Sequence, residues 1–326
     1  MKIKKNHVYF AAIAVVILGV LLLYSGIFAK KIQKSGENPK PQEIEWTVDK
    51  DGYLYYPLNR GNIKFYRENY GETENLIISK IIYQSRNENI YGFLVLPKSA
   101  AELLPGVVLL PGAGVGKESE LELAKNIAQL DAAVLAIDQR GVGETGGHIQ
   151  NLDEDYSSFL AGKEPYQHLL VYDALRGYDL LHSAPFVDSD RIAIAGESLG
   201  GRIAVIAAAI DRNVNGVLVI SSAGLDFKGG PDEKKNTFLK SIDSDHYIRL
   251  ITPRKLVMIH SINDTIIPLS SAVNSFQKAQ EPKQFILVND TSCRHGYCDG
   301  MHEGIVSALD YLIQIKSKTV ASVPDE

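Results

Sequence analysis

The chain has 326 residues, 45% hydrophobic and 22% charged, which is enough apolar material for one large core and excludes extensive disorder. Its formal charge is −5, with 34 basic and 39 acidic residues, and six of the lysines fall within the first 34 positions. The remainder is therefore distinctly acidic and has no electrostatic case for binding nucleic acid or an anionic lipid surface.

Residues 8–29 carry no charge and are flanked by Lys2, Lys4 and Lys5 before and Lys30, Lys31 and Lys34 after. At about 1.5 Å of rise per residue the run reaches roughly 33 Å, long enough to span a bilayer core of about 30 Å. A cleaved signal peptide would end in a small-x-small site, whereas Ile27-Phe28-Ala29 has a bulky residue two before the alanine. No cysteine follows the run, so a lipid-modified N-terminus is not supported. Residues 1–34 are expected to be an uncleaved signal anchor with one transmembrane helix. Residues 35–45, with Gly36, Pro39 and Pro41, read as a linker, and residues 46–326 as the folded domain. The lysines on the two sides nearly balance, so the positive-inside rule gives little. One span followed by one long domain still points to an extracytoplasmic domain held at the membrane.

Residues 45–67 are rich in tyrosine (Tyr53, Tyr55, Tyr56, Tyr66) and alternate poorly, which leaves an irregular or β lead-in. Residues 76–84 and 90–96, separated by the polar stretch 85–89, read as an antiparallel hairpin that Pro97 ends. From there strands are expected at 106–110, 132–137, 191–195, 216–220, 255–260 and 284–288. Helices are expected at 118–130, 167–182, from Gly201 through 203–210, at 270–280 and at 303–315, with a polar excursion at 226–249. Such alternation implies right-handed crossovers and a mostly parallel, doubly wound sheet with helices on both faces. Ligands of such sheets bind beyond the carboxyl ends of the strands, so the residues there are decisive.

Between the strand at 191–195 and the following helix lies G-x-S-x-G, in the stretch Arg191–Arg202. A strand that turns into a helix within a few residues strains the corner, and Gly196 and Gly200 leave room for the two elements to approach. Ser198 stands at the apex, near the positive end of the helix, where a base could reach its hydroxyl. After the first parallel strand comes Leu110-Pro111-Gly112-Ala113-Gly114-Val115-Gly116, whose N–H groups could face an anion. Its spacing is neither that of a P-loop nor that of a dinucleotide-binding turn. Asp138-Gln139-Arg140-Gly141-Val142-Gly143-Glu144 follows the next strand, Asn263-Asp264 follows the strand at 255–260, and His295 follows the last. The chain order is thus Ser, Asp, His, each on the loop that follows a different strand.

The chain from about residue 76 to 315 resembles the α/β-hydrolase superfamily, closest to its dienelactone-hydrolase-like and acyl-esterase branches. The resemblance rests on G-E-S-L-G-G, L-P-G-A-G, D-Q-R-G-V-G-E-T and N-D-T-I-I-P. It implies the α/β-hydrolase fold, Ser198 as nucleophile, Asp264 as the acid, a late histidine as base, and an oxyanion hole from the N–H groups of Ala113 and Leu199. Pro111-Gly112 stands where many members have His-Gly, and serine stands where dienelactone hydrolases have cysteine, so a dienelactone substrate is not implied. Of the late histidines, His295 lies in a glycine-flanked loop and is favoured over His302, which abuts a helical run; Asp226, after the preceding strand, is the rival acid. His260 reads as a structural residue at a strand end.

The expected activity is hydrolysis of small carboxylic esters through an acyl-enzyme, with no cofactor or metal required. The alternatives are a peptidase or amidase of the same fold, or a binding domain that kept the fold without the chemistry. The cluster Cys293, His295, Cys298, His302 could be read as zinc ligands, but its spacing fits no common structural finger. A disulfide between Cys293 and Cys298 is the other reading, which an exported domain would permit. The excursion at 226–249, with Lys228, Asp232, Glu233, Lys234 and Lys235, is too charged for the apolar lid of a lipase.

Overall fold

Continuous apolar runs of five to seven residues need cover on both faces, and in the computed structural model, which describes residues 46–99 and 102–315, they form the middle of one sheet. The expected anchor and linker lie outside the described residues. Among those described, no helix is long and apolar enough to cross a membrane.

The strands are β1 (Thr47–Val48), β2 (Leu54–Tyr55), β3 (Phe65–Glu72), β4 (Leu76–Ser85), β5 (Glu88–Pro97), β6 (Leu104–Leu110), β7 (Ala133–Ile137), β8 (Val187–Glu197), β9 (Gly216–Ile220), β10 (Lys255–Ser261) and β11 (Lys283–Val288). β1 and β2 make a small antiparallel ladder. The other nine form one sheet in the order β11-β10-β9-β8-β6-β7-β5-β4-β3. From β7 to β11 every neighbour is parallel; β5, β4 and β3 join antiparallel at one side. The helices are α1 (Leu121–Ala128), α2 (Leu152–Leu160), α3 (Tyr166–Ser183), α4 (Leu199–Ile210), α5 (Glu233–Ser241), α6 (Ser244–Tyr247), α7 (Leu269–Lys278) and α8 (His302–Ile313).

Alternation along the strands assigns the helices to faces. Val107, Leu109, Ala193 and Ala195 share a buried cluster with Leu123 and Ile127 of α1 and with Ile305, Leu309 and Leu312 of α8. Val108, one step out of phase, meets the opposite layer, where Gly177 of α3 comes close to it. α4 packs beside α3. This is an α/β-hydrolase fold, mostly parallel, with helices on both faces.

Three elements depart from the expectation. β3 has no buried face: all its residues but one are exposed, Phe65, Tyr66 and Tyr70 included, so an edge strand shows no alternation to read. α2 arises in a polar stretch, where Asn151 caps it by accepting from the Asp153 and Glu154 N–H groups while Glu154 reaches back to the Asn151 N–H. The charged excursion folds into α5 and α6, and its few apolar residues, Phe238, Leu239 and Ile242, close on Tyr156 and Phe159 of α2. Each of these elements supplies the other's missing core.

A buried ion pair joins the hairpin to α3. Arg140 Nη2 donates to Asp173 Oδ1 at 2.6 Å and Nε to Oδ2 at 3.0 Å, while Ser85 Oγ adds a bond of 2.5 Å to the same carboxylate. Both charged side chains are nearly fully buried. Removing one member strands the other charge, so Arg140→Ala is expected to cost about 3–5 kcal/mol of stability. Urea unfolding reads this as a lower midpoint at unchanged slope; a loss under about 1 kcal/mol would overturn the structural role.

Candidate active site

The corner between β8 and α4 is strained as its sequence suggests. Ser198 has φ 49° and ψ −114°, a positive φ that a residue with a side chain rarely adopts and that costs on the order of 1–3 kcal/mol. Bonds on both sides hold it: the Ser198 N–H donates to Ile220 O at 2.9 Å, and Ser222 Oγ donates to Ser198 O at 2.5 Å. A side-chain carbon on Gly196 would lie 2.3 Å from the Gly200 backbone, and one on Gly200 would lie 2.3 Å from Leu110 O. Only glycine lets β8, α4 and β6 meet this closely. Among the described residues nothing bonds the Ser198 hydroxyl, which leaves it free at the half-buried apex.

The loop after β6 lies against this corner, with the side-chain position of Gly112 3.7 Å from Ser198 Cβ. Gln139 fixes the loop: its Oε1 accepts from the Gly114 N–H at 2.6 Å, and its Nε2 donates to the Tyr166 hydroxyl, which donates to Arg140 O at 2.9 Å. The N–H groups of Ala113 and Leu199 have no acceptor among the described residues. Two free donors on either side of a serine are what an oxyanion needs. The support from Gln139 is missed by sequence reasoning; its only sign is its position in D-Q-R-G.

Asp264 and His295 come together although 31 residues separate them. His295 Nδ1 lies 3.0 and 3.1 Å from the two Asp264 oxygens. Asp264 is fully buried, while about a quarter of the His295 side chain reaches solvent. Burial alone would raise the Asp264 pKa; the N–H groups of Ile267 and Ile266 and the His295 ring outweigh it and hold the carboxyl below its ordinary value. The His295 loop reaches the serine corner through Gly296, whose carbonyl accepts from Ser221 Oγ at 3.2 Å and whose α-carbon abuts Glu197.

Of the other candidates, His302 and Asp226 make no bond to this pair among the described residues, while His260 Nε2 lies 3.8 Å from Asp264 Oδ2. His302 begins α8 with no bond to Asp264. Asp226 is exposed and bonds Asn274 and Lys278. His260 is fully buried, its Nε2 2.9 Å from Ile267 O, and burial lowers its pKa. Cys293 and Cys298 form a disulfide with Cα atoms 5.5 Å apart, so the two thiols of the supposed metal cluster are spent on each other. That bridge closes a ring around His295 and is buried at Cys293.

Comparisons with known proteins bear on the family and the fold. The family model described as acetyl xylan esterase (AXE1) matches residues 62–229. A curated relative, the acetyl esterase Axe7A of Xylanibacter ruminicola, is 27% identical over 188 residues, which is 54% of this chain and 41% of that one. Among solved structures, an acetyl xylan esterase from a Paenibacillus species superposes with TM-score 0.65 at 21% identity, covering 78% of this chain and 90% of that one. Acetyl xylan esterase 1 from a Thermoanaerobacterium species gives 0.61 at 18%, covering 84% and 98%. At such identities the two structures speak to the fold alone.

The ring around His295 yields a test. Opening so short a loop is expected to cost about 2 kcal/mol on the chain-entropy model. Its effect on turnover should be larger: in Cys293→Ser, kcat for an activated ester is expected to fall at least several-fold while the thermal midpoint drops by only a few degrees. Unchanged kcat in that variant would show that the bridge does not orient the imidazole.

Proposed function

Because the chain belongs to the acetyl xylan esterase family, we propose that this carboxylic ester hydrolase removes small acyl groups, acetyl above all, from the hydroxyls of a carbohydrate through an acyl-enzyme on Ser198. The observation that carries the reading is the pairing of His295 with a fully buried Asp264 on the loops that flank a strained serine with a free hydroxyl.

The steps follow from the residues. Asp264 accepts from Nδ1–H of His295, which leaves Nε2 as the acceptor for the Ser198 proton. The serine oxygen attacks the ester carbon, and the negative charge that develops on the carbonyl oxygen is met by the N–H groups of Ala113 and Leu199; each such donor is worth about 2.7–4 kcal/mol. The start of α4 adds its positive end. His295 returns the proton to the alcohol oxygen as the C–O bond breaks. Water then enters, His295 takes its proton, and the carboxylic acid departs as Ser198 recovers its hydrogen. The relatives' names supply the acetyl and sugar parts of the proposal.

The same reading places the domain outside the cytoplasm, with residues 8–29 as an uncleaved anchor. The Cys293–Cys298 bridge supports an oxidising compartment. A chain beginning near Gln42 is then expected to be soluble with kcat within about two-fold of the full protein, since the anchor only tethers. Joint loss of activity and cooperative unfolding would overturn that part.

The central test uses Ser198→Ala and Asp264→Asn with p-nitrophenyl acetate and an acetylated xylo-oligosaccharide, alongside fluorophosphonate labelling. Ser198→Ala should lose labelling and nearly all turnover without losing its fold, and Asp264→Asn should lose roughly 10⁴-fold in kcat. Hydrolysis at the parent rate by Ser198→Ala would sink the catalytic assignment; faster cleavage of aminoacyl amides than of acetyl esters would sink the substrate class.

A further inference from the structure

Two acids lie beneath the proposed catalytic groups without a part in the steps above. Glu120, just before α1, is 2% exposed, and its Oε2 is buried without a hydrogen-bond partner. Its carboxyl faces that of Glu197, the residue before Ser198, and the Gly112 N–H of the oxyanion loop. Glu197 in turn faces the Tyr297 N–H and the His295 ring, and its Oε2 lies 2.7 Å from where a side-chain carbon on Gly296 would stand. Among the described residues no lysine or arginine pairs with either acid. Lys117, on the segment before Glu120, is turned to Glu118, Asp138 and Glu144. From α1, Asn126 donates to the Tyr297 hydroxyl at 3.0 Å, and Glu122 and Asp299 act on that phenol from the outer side. The oxyanion loop, the serine corner and the histidine loop therefore all touch this one pair of carboxyl groups.

Of these adjacent carboxyls Glu120 is buried and Glu197 half-buried, and with no cation beside them among the described residues each disfavours the other's ionisation. Burial, then the neighbouring Glu197, push Glu120 up to about 9, against the pull of the Gly112 N–H. Burial raises Glu197 too, but the Tyr297 N–H, His295 and the hydrogen bond from Glu120 favour its charged form. Both carboxyls are thus pushed upward, Glu120 the further, and at neutral pH Glu120 holds a proton.

We propose that Glu120 is a positioning residue: the proton it shares with Glu197 ties the oxyanion loop, the serine corner and the histidine loop into one arrangement competent for ester cleavage. The inference rests on the roles proposed for Ser198, His295 and Ala113. Negative charge that remains on the pair lies beside the imidazolium that forms during turnover, where it is favourable. Loss of the shared proton puts two like charges side by side, and the three loops part.

The same proton couples to stability. Glu120 in the folded protein keeps a proton that an unfolded carboxyl gives up at about 4.5, so its contribution is whole below that pH and declines as pH rises toward 9.

The test measures kcat/KM for p-nitrophenyl acetate on the full chain from about pH 6 to about pH 10.5, with thermal midpoints across the same range. The parent is expected to lose activity on the alkaline side with a midpoint near the Glu120 ionisation. Glu120→Gln keeps a donor that cannot ionise, so its alkaline fall should move out by about one pH unit or more, and its thermal midpoint should decline less steeply with pH. Glu197→Gln removes the neighbouring charge and should move the fall to lower pH. Glu120→Ala should lower kcat about ten-fold at every pH, and Gln at the same position should recover most of that loss. An alkaline fall in Glu120→Gln that matches the parent would overturn the proposal even if Glu120→Ala fails to fold, and full kcat in a folded Glu120→Ala would do the same. Fluorophosphonate labelling separates the two levels. If Ser198→Ala still turns over, the catalytic reading fails and takes this one with it; if Ser198 is labelled and essential while Glu120→Gln tracks the parent, only the role of Glu120 fails.

Discussion

The structure depends on a backbone contact at one corner. β8 must stop, turn and continue as α4 within a few residues, with the new helix crossing so near β6 that the Leu110 carbonyl lies where a side chain on Gly200 would be. Close packing of this kind leaves no room for adjustment, and the strain it creates is concentrated in the backbone of Ser198. The partial exposure of Ser198 and its nearness to the Gly112 loop both follow from that geometry. A looser corner would bury the hydroxyl or tilt the helix that begins at Leu199.

Around the corner the charged residues divide into two classes. Asp138 and Arg140, neighbours in D-Q-R-G, serve the framework: Asp138 takes buried Lys117 and the N–H groups of Lys117 and Glu144, and Arg140 takes Asp173. Between them Gln139 points the other way and holds the loop that carries Ala113. A single tripeptide thus braces the hairpin, α3 and the loop after β6. Buried polar networks of this sort are costly when incomplete, which makes the arrangement unique as well as stable. Acids on the other side of the corner have no cation to satisfy them and share a proton instead.

The layer above the strand ends is assembled from pieces with little core of their own. α2 and α5 are mostly polar, and each is ordered by the few aromatic and aliphatic residues that the other presents. Trp46 reaches the same region, stacking edge-on with His168 and near Phe159.

What the sequence determined by itself was whatever local periodicity and spacing encode. The buried strands β6 to β10, the helices between them, the glycines of the Ser198 corner and the order Ser, Asp, His are readable because each signal lies within about a dozen residues. An edge strand such as β3 left no trace, since neither of its faces is buried. Tertiary structure decided the rest. That His295 and not His302 meets Asp264, that Asp226 faces Lys278 and solvent, and that Cys293 meets Cys298 are matters of which loops converge. Gln139 and Glu120 are the sharpest cases. Glu120 looks like any helix-leading acid until β8 brings Glu197 beside it from 77 positions away, and only burial without a counter-charge turns the two into a proton-sharing pair.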